Sequence, residues 1–225
     1  ANFAISGVEV FELDSTNSTM TMTATQFANN NTVKLEGDSA TADLFVVEGL
    51  ATANTIDATG VTVEATQGVG ITYTGGAAND VITGGAADET IAFGSAINAG
   101  GGVDTFDGGT GTDTFDGALV TGVTETGSAA SIGAVINLGA TSVTGTTVFA
   151  ETGAYISGSA SSVGSGKVAY LFTADATTNS ANMSTLSNFE NVVGTTGADY
   201  IVGDAGANSI DGGTGADVVT GGSGA

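Results

Sequence analysis

The chain has 225 residues, of which 24 are acidic and only 2 are Lys or Arg, so its formal charge is −22. With so few cations it cannot neutralise phosphates or anionic lipid, and the sequence predicts no nucleic-acid partner. His, Cys, Pro and Trp are absent, which excludes disulfides, thiolate metal sites, His-dependent triads and the H-E-x-x-H zinc helix. We therefore expect that the protein is not an enzyme.

The composition also bears on the core and on the membrane. Hydrophobic residues make up 41% of the chain, and 37 residues are Gly. Many of the hydrophobic residues are Ala and Val, which can fill the thin interior of a solenoid, where each layer buries its apolar face on the next. The longest uncharged stretch, residues 126–150, is rich in Gly, Ser and Thr, whereas a membrane-spanning helix needs about 20 mainly apolar residues. No membrane insertion is predicted.

Residues 1–74 are predicted to form the strands of a degenerate parallel β-solenoid. Short β-branched runs alternate with Asn, Gly and Asp turns, which is typical of strands joined by tight connections. The runs are VEVFEL (8–13), TMTMTAT (19–25), TVKLEG (32–37), DLFVVEG (43–49) and VTVEAT (61–66). No segment has convincing helix periodicity, so we expect parallel β structure without helices that merges into the next region without a linker.

Residues 75–116 form a first block with a nine-residue repeat in Gly and Asp, and residues 194–225 form a second. The first block reads GGAANDVIT (75–83), GGAADETIA (84–92), an irregular FGSAIN, AGGGVDTFD (99–107) and GGTGTDTFD (108–116). The second reads GTTGADYIV (194–202), GDAGANSID (203–211), GGTGADVVT (212–220) and a truncated GGSGA. Residues 117–193 interrupt the repeat, and we interpret them as a β-rich insertion or spacer.

The seven aligned rows follow the pattern G-G-x-G-x-D-x-U-x, in which U is apolar and which is typical of calcium-binding nonapeptides. Rows 108–116 and 212–220 match it at every fixed position. The U residues are Ile82, Ile91, Phe106, Phe115, Ile201, Ile210 and Val219. On these rows the chain resembles the RTX, or hemolysin-type, repeat proteins, and among them bacterial surface-layer and extracellular-matrix proteins secreted by type I systems. The segment LSNFENVVGT (186–195) is similar to the flank that introduces RTX blocks in that family.

The spacing has a physical reason that does not depend on the resemblance. In G-G-x-G-x-D, Gly tolerates positive φ and lets the backbone approach an ion, and x-U-x is a short strand whose central side chain points inward. Two units complete one coil, so loops eighteen residues apart should stack on one side. The Asp carboxylates and loop carbonyls then offer the hard oxygen ligands that suit Ca²⁺ better than Mg²⁺. We predict an all-β, right-handed parallel β-roll that binds Ca²⁺.

The ligand pairs of the first block follow from its irregular step. Because FGSAIN lengthens that step, we pair Asp80 with Asp104 and Glu89 with Asp113, both at a spacing of twenty-four residues. Asn98 also falls on the Asp position if the frame is simply continued, so it is an alternative partner of Asp80.

The second block has the regular spacing. Asp199 and Asp217 lie eighteen residues apart and should share an ion between stacked loops. Asn208 faces the other side, where its stacking partner would be residue 226. The second-rank candidate ligands are the ninth-position acids Asp107, Asp116 and Asp211, followed by Asp88 and Asp204.

The ligands and the resemblance together predict a function. A charge of −22 opposes compaction, so folding and calcium binding should be one equilibrium. The resemblance implies that the chain crosses a type I secretion channel unfolded and folds on meeting external Ca²⁺. We expect an extracellular structural protein at the bacterial cell surface that self-assembles, as a homo-oligomer or polymer, into a surface layer or matrix filament.

Other possibilities stay open at this point. A cell-surface polysaccharide is a further candidate partner. The main alternative function is an RTX secretion, folding or stalk module of a larger adhesin or secreted enzyme. A third is ice binding by a flat ladder on one strand face, formed by Thr19, Thr21, Thr23 and Thr25, although the simpler explanation is an exposed face built from β-favouring polar residues.

Overall fold

The structure, a computed structural model, describes residues 6–13, 17–37, 43–64, 69–76, 78–93, 102–118, 133–156, 162–172 and 183–224. This part of the chain is mostly strands with two short helices, so the all-β class is confirmed. None of its helices is long and apolar enough to cross a membrane. The elements, in chain order, are β1 (Val10–Leu13), β2 (Thr19–Thr23), α1 (Ala24–Phe27), β3 (Lys34–Gly37), β4 (Asp43–Glu48), β5 (Thr55–Asp57), β6 (Thr62–Val63), β7 (Val69–Thr74), β8 (Val81–Thr83), β9 (Glu89–Ala92), β10 (Thr105–Asp107), β11 (Thr114–Asp116), β12 (Gly133–Asn137), β13 (Val143–Thr144), α2 (Gly145–Thr152), β14 (Tyr155–Ile156), β15 (Ser162–Val163), β16 (Lys167–Phe172), β17 (Ser184–Ser187), β18 (Asn191–Val193), β19 (Tyr200–Val202), β20 (Ser209–Asp211) and β21 (Val218–Thr220).

Three sheets contain most of these strands. Sheet I has the order β1-β3-β6, and sheet II has the order β2-β4-β7-β9-β11-β18-β20. Sheet III has the order β21-β19-β12-β16-β17-β10-β8-β5, with β14 beside β16, and β13 pairs with β15 in a separate ladder. All pairs in sheets I and II are parallel.

The order in which the chain visits the sheets changes along its length. From β3 to β8 it passes through sheets I, II and III in turn. Within the nonapeptide rows it alternates between sheets II and III only, so that two rows return it to the same sheet one strand further on. Tyr200 of β19 accordingly pairs with Val218 of β21, two rows later. In the second block, successive strands of one sheet are therefore eighteen residues apart, which is two repeats.

Most of the apolar U residues pack inside the molecule, as the pattern predicted. Five of the seven are fully buried in the core, and each such burial contributes about 1.5–3 kcal/mol. Ile210 is only partly buried, and Val219 is 47% exposed. The fully buried U residues are Ile82, Ile91, Phe106, Phe115 and Ile201.

The expectation of a chain without helices is wrong, and α1 is the first exception. The run 19–25 was predicted to be one strand, but the strand ends at Thr23. The hydroxyl of Thr23 accepts from the backbone N–H of Gln26, and the Gln26 side chain accepts from the Thr23 N–H, which is a capping box. This cap and the complete burial of Phe27 outweigh the β preference of the alternating Thr residues. Thr25 therefore lies in the helix and not on the strand face.

Residues 133–172 insert strands into sheet III and contain the second helix. β16 lies between β17 and β12 and is antiparallel to both, whereas β12 is parallel to β19. Thr144 caps the start of α2, and Gly153, at φ 70°, ends it. Val148 of α2 packs into a second core with Val135 and Val163. Gly and Thr dominate the sequence of α2, which is why no helical period could be read from it.

Replacing Phe115 by Ala tests the importance of the U positions. Phe115 is fully buried and its ring contacts those of Phe93, Phe106 and Phe189. We expect Phe115→Ala to lower the free energy of unfolding by about 3–5 kcal/mol, measured by denaturant titration in excess calcium. Val219→Ala, at an exposed U position, should change it by no more than about 0.5 kcal/mol. Equal losses in the two variants would contradict this assignment of the core.

Candidate metal centre

The Gly-rich loops of successive passes lie backbone against backbone. A Cβ atom built on Gly109, at φ 95°, would approach the Gly85 carbonyl oxygen to 2.4 Å. In the second block a Cβ on Gly215, at φ 136°, would approach the Gly197 carbonyl oxygen to 2.1 Å. Only Gly tolerates both the positive φ and this approach. The loops thus present carbonyl oxygens to the neighbouring loop, at the place where the sequence predicts calcium ligands.

One column of polar side chains follows the loops that precede the strands of sheet III. The backbone N–H of Asn54 donates to Asp80 Oδ1 at 2.8 Å, and the N–H of Asp80 donates to Asp104 Oδ1 at 2.9 Å. The N–H of Asp104 donates to the hydroxyl of Ser184 at 3.0 Å. The structure therefore brings Asp80 and Asp104 together across the irregular step, in the pairing that the spacing suggested.

A second column follows the loops that precede the strands of sheet II. The N–H of Glu89 donates to Asp113 Oδ1 at 2.8 Å, so this predicted pair is also adjacent. The N–H of Asp113 donates in turn to Glu190 Oε2 at 2.8 Å. Asp113 therefore holds the Glu89 N–H with Oδ1, while its Oδ2 has no hydrogen-bond partner.

The second block repeats this arrangement at Asp199. Its N–H donates to Asp217 Oδ1 at 3.0 Å, so these two acids also lie together. Asp199 is fully buried, and its carboxylate accepts from the backbone N–H groups of Thr195 at 2.7 Å and Ala134 at 2.6 Å and from the Thr195 hydroxyl. Ala134 belongs to the insertion, so an insertion strand here takes the place of a preceding repeat.

Burial favours the protonated form of these carboxyl groups when no cation is bound. It raises the pKa of Glu89 to about 7, against the opposing effect of the Gly85 N–H and with a contribution from the charge of Asp113. Burial likewise raises the pKa of Asp104 and of Asp113 to about 6. The pKa of Asp199 is raised by burial as well, although its hydrogen-bond donors oppose the shift.

The chain has no cation of its own to offset this charge. Lys34 and Lys167 are its only basic residues. Lys34 forms ion pairs with Glu36 and Glu64, and Lys167 donates to the hydroxyl of Thr185. Both lysines are therefore engaged away from the buried acids.

The residues present fit a calcium ion. The clearest sign is that Glu89 Oε1 and Asp113 Oδ2 are buried and have no hydrogen-bond partner, although buried polar atoms normally have one. Calcium takes six to eight oxygens, including carbonyls. Within the described ranges no three acidic side chains converge on one point, so any ion would need loop carbonyls besides the two carboxylates of a pair.

The second-rank candidates have local partners. Oδ1 of each ninth-position acid accepts from the N–H two residues ahead, as in an Asx turn: Asp107 from Gly109, Asp116 from Ala118 and Asp211 from Gly213. These bonds explain the three acids without a metal, and their role as ligands stays a prediction.

The remaining candidates also bond locally or lie elsewhere. Asn208 exchanges hydrogen bonds with Asp204, whose Oδ1 also accepts from the Gly206 N–H. Asp88 Oδ1 accepts from the N–H of Thr112 in the next pass. Asn98, the alternative partner of Asp80, lies outside the described residues.

Three members of the two columns were missed by the sequence analysis. Asn54, Ser184 and Glu190 precede inward apolar residues by two positions, as the Asp of the repeat does. That spacing was a usable signal. The spacing was not recognised because no Gly-rich loop precedes these residues.

Comparison with known proteins agrees with the loop geometry. The family model of the RTX calcium-binding nonapeptide repeat (four copies) matches residues 72–96, 96–119 and 193–225. The chain carries RTX calcium-binding repeats. No curated protein matches the chain. RTX repeats are calcium-binding motifs and are typical of secreted proteins, and the matched ranges contain the pairs Asp80–Asp104, Glu89–Asp113 and Asp199–Asp217.

The raised pKa values predict how the calcium-free protein responds to pH. Because Glu89 binds its proton more tightly in the fold, with a pKa of about 7 against 4.5 for the ordinary group, the folded state holds more protons between these values. The free energy of unfolding in EDTA should therefore fall as pH rises from about 4.5 to about 7. Glu89→Gln should reduce that slope. Denaturant titrations at several pH values measure it, and a stability that rises with pH over this range would contradict the assignment.

A matched pair of variants separates the loop acids from the ninth-position acids. Asp113→Asn keeps an oxygen for the Glu89 N–H but removes the charge beside the unpartnered oxygens, so we expect weaker calcium binding and fewer ions bound per chain. Asp116→Asn keeps its Asx turn and, because Asp116 is a second-rank candidate, should weaken calcium binding much less. Isothermal titration calorimetry measures both, and identical binding by the two variants would refute the distinction.

Proposed function

We propose that this RTX protein is a calcium-dependent extracellular structural protein that folds after secretion into a right-handed parallel β-roll. The observation that carries the proposal is the pair Glu89 and Asp113, which bury two carboxylate oxygens without a hydrogen-bond partner and without a basic residue beside them. Ions between stacked loops would neutralise that charge and join successive passes of the chain.

Coupling of folding to calcium follows from the charge. At −22 the calcium-free chain repels itself, and each bound ion adds two positive charges where the acids are closest. Metal binding then contributes directly to the free energy of folding. Extracellular calcium modules bind at about 10⁻⁴ to 10⁻³ M, so the chain would stay loose in a calcium-poor cytosol and become rigid outside the cell.

Self-assembly at the bacterial cell surface is the second part of the proposal. Among the described residues, the last strands of sheets II and III, β20 and β21, each pair on one side only. Ile210 of β20 is half-buried and Val219 of β21 is 47% exposed, so these edges offer both backbone groups and apolar surface to another layer of β structure. A second copy is the occupant that we propose, which would give a filament or a surface layer. The role is structural and not catalytic, and a surface polysaccharide is a candidate anchor.

The same face supports the alternative function. In an RTX secretion, folding or stalk module of a larger adhesin or secreted enzyme, further β structure of the same polypeptide would cover β20 and β21. The two proposed functions predict different masses for the native protein. A discrete subunit would have a mass close to 21.6 kDa, whereas a module would belong to a much larger chain.

Circular dichroism with added ions tests the calcium part. We expect millimolar Ca²⁺ to increase the β signal, EDTA to abolish the gain, and Mg²⁺ at equal concentration to do much less, because Mg²⁺ demands octahedral geometry and keeps its waters. Electron microscopy of the same samples tests assembly. A β signal that is unchanged after exhaustive chelation would end the calcium proposal, and particles that remain monomeric in millimolar calcium would end the assembly proposal.

A further inference from the structure

Glu190 lies outside the repeats but beside them in the fold. It immediately precedes β18, and none of the ranges matched by the RTX family model contains it. β18 pairs with β11 of the first block on one side and with β20 of the second block on the other, in the register Thr114↔Asn191↔Ser209. Glu190 therefore sits at the junction where the two blocks meet across the insertion.

The side chain of Glu190 continues the acid column of sheet II. Its Oε2 accepts from the N–H of Asp113, just as Asp113 Oδ1 accepts from the N–H of Glu89. The backbone is in register as well, because the N–H groups of Glu190 and Asn191 both donate to the Asp113 carbonyl. Glu190 thus occupies the place that the Asp of the next repeat would have.

The contacts at this junction leave buried negative charge that a bound cation would neutralise. Asp113 Oδ2 is buried and has no hydrogen-bond partner, and the negative charge of Glu190 acts on the same carboxyl group. Asp88, in the preceding loop, adds a further negative charge there. Neither Lys34 nor Lys167 is available, since both are engaged elsewhere.

We propose that Asp113 and Glu190, with nearby backbone carbonyls, bind a calcium ion that joins the two repeat blocks into one cooperative unit. This inference rests on the proposed calcium function and adds a ligand from outside the repeats. Asp113 and Glu190 are 77 residues apart, so the ion closes a long loop that contains the strands β12 to β17. Without it the two blocks would share only strand pairing and apolar contacts and would fold at different calcium concentrations.

Glu190→Gln tests the junction with little disturbance, because the Gln oxygen can still accept from the Asp113 N–H. We expect this variant to bind one calcium ion fewer by calorimetry. In hydrogen exchange followed by mass spectrometry, peptides of both blocks in the unchanged protein should become protected at one calcium concentration. In Glu190→Gln the second block should need about tenfold more calcium, since the number of charged ligands tunes such affinities. Glu190→Asp, which keeps the charge, should retain the ion.

The control is Glu151→Gln, which removes an equal charge from the exposed Glu151 of α2 and should leave both stoichiometry and protection unchanged. If Glu190→Gln and Glu151→Gln both behave as the unchanged protein, the junction site is refuted while calcium binding by the repeats stands. If the unchanged protein binds no calcium, the proposed function and this inference fail together.

Discussion

The structure depends on carboxylates that are buried where the chain has no cation to accompany them. In each column a backbone N–H holds one oxygen of the next acid, as Glu89 does with Asp113 and Asp199 with Asp217. This bond joins the loops of successive passes, whose strands are already paired in parallel ladders. A hydrogen bond alone leaves the negative charge uncompensated, and the energetic cost of that charge in a buried place is large. The positions of the paired acids and their uncompensated charge therefore both favour the binding of a cation.

The two ends of the chain bury their core residues differently. Before β8 the chain visits three sheets per pass and encloses large rings such as Phe27, Phe45 and Tyr73, all fully buried. Within the nonapeptide rows each three-residue strand contributes a single inward side chain, so a pass has little apolar surface to bury. The loop acids are concentrated in this second region. Apolar packing thus dominates where the passes are wide, and the acid columns accompany the narrow ones.

The sequence predicted the parts of this structure that recur at a fixed period. The burial of Phe106 and Phe115 and the adjacency of Asp80 to Asp104 followed from counting, even across an irregular step. The parts set by single local contacts did not. A capping box at Thr23 ended a strand early. The two columns continued through Ser184 and Glu190, respectively, and no Gly-rich loop precedes either residue. The order of strands in sheet III depends on contacts distant in sequence, so periodicity could not give it.

The insertion adds strands to one sheet and not to its neighbour. Between β17 and β19, sheet III contains β16 and β12, whereas in sheet II β18 pairs directly with β20. At about 4.8 Å per strand, sheet III is longer than sheet II over this interval by roughly 10 Å. The passes of the chain on either side of this interval are therefore farther apart at sheet III than at sheet II. That difference in spacing is set by the two antiparallel strands β16 and β12 and not by the repeats.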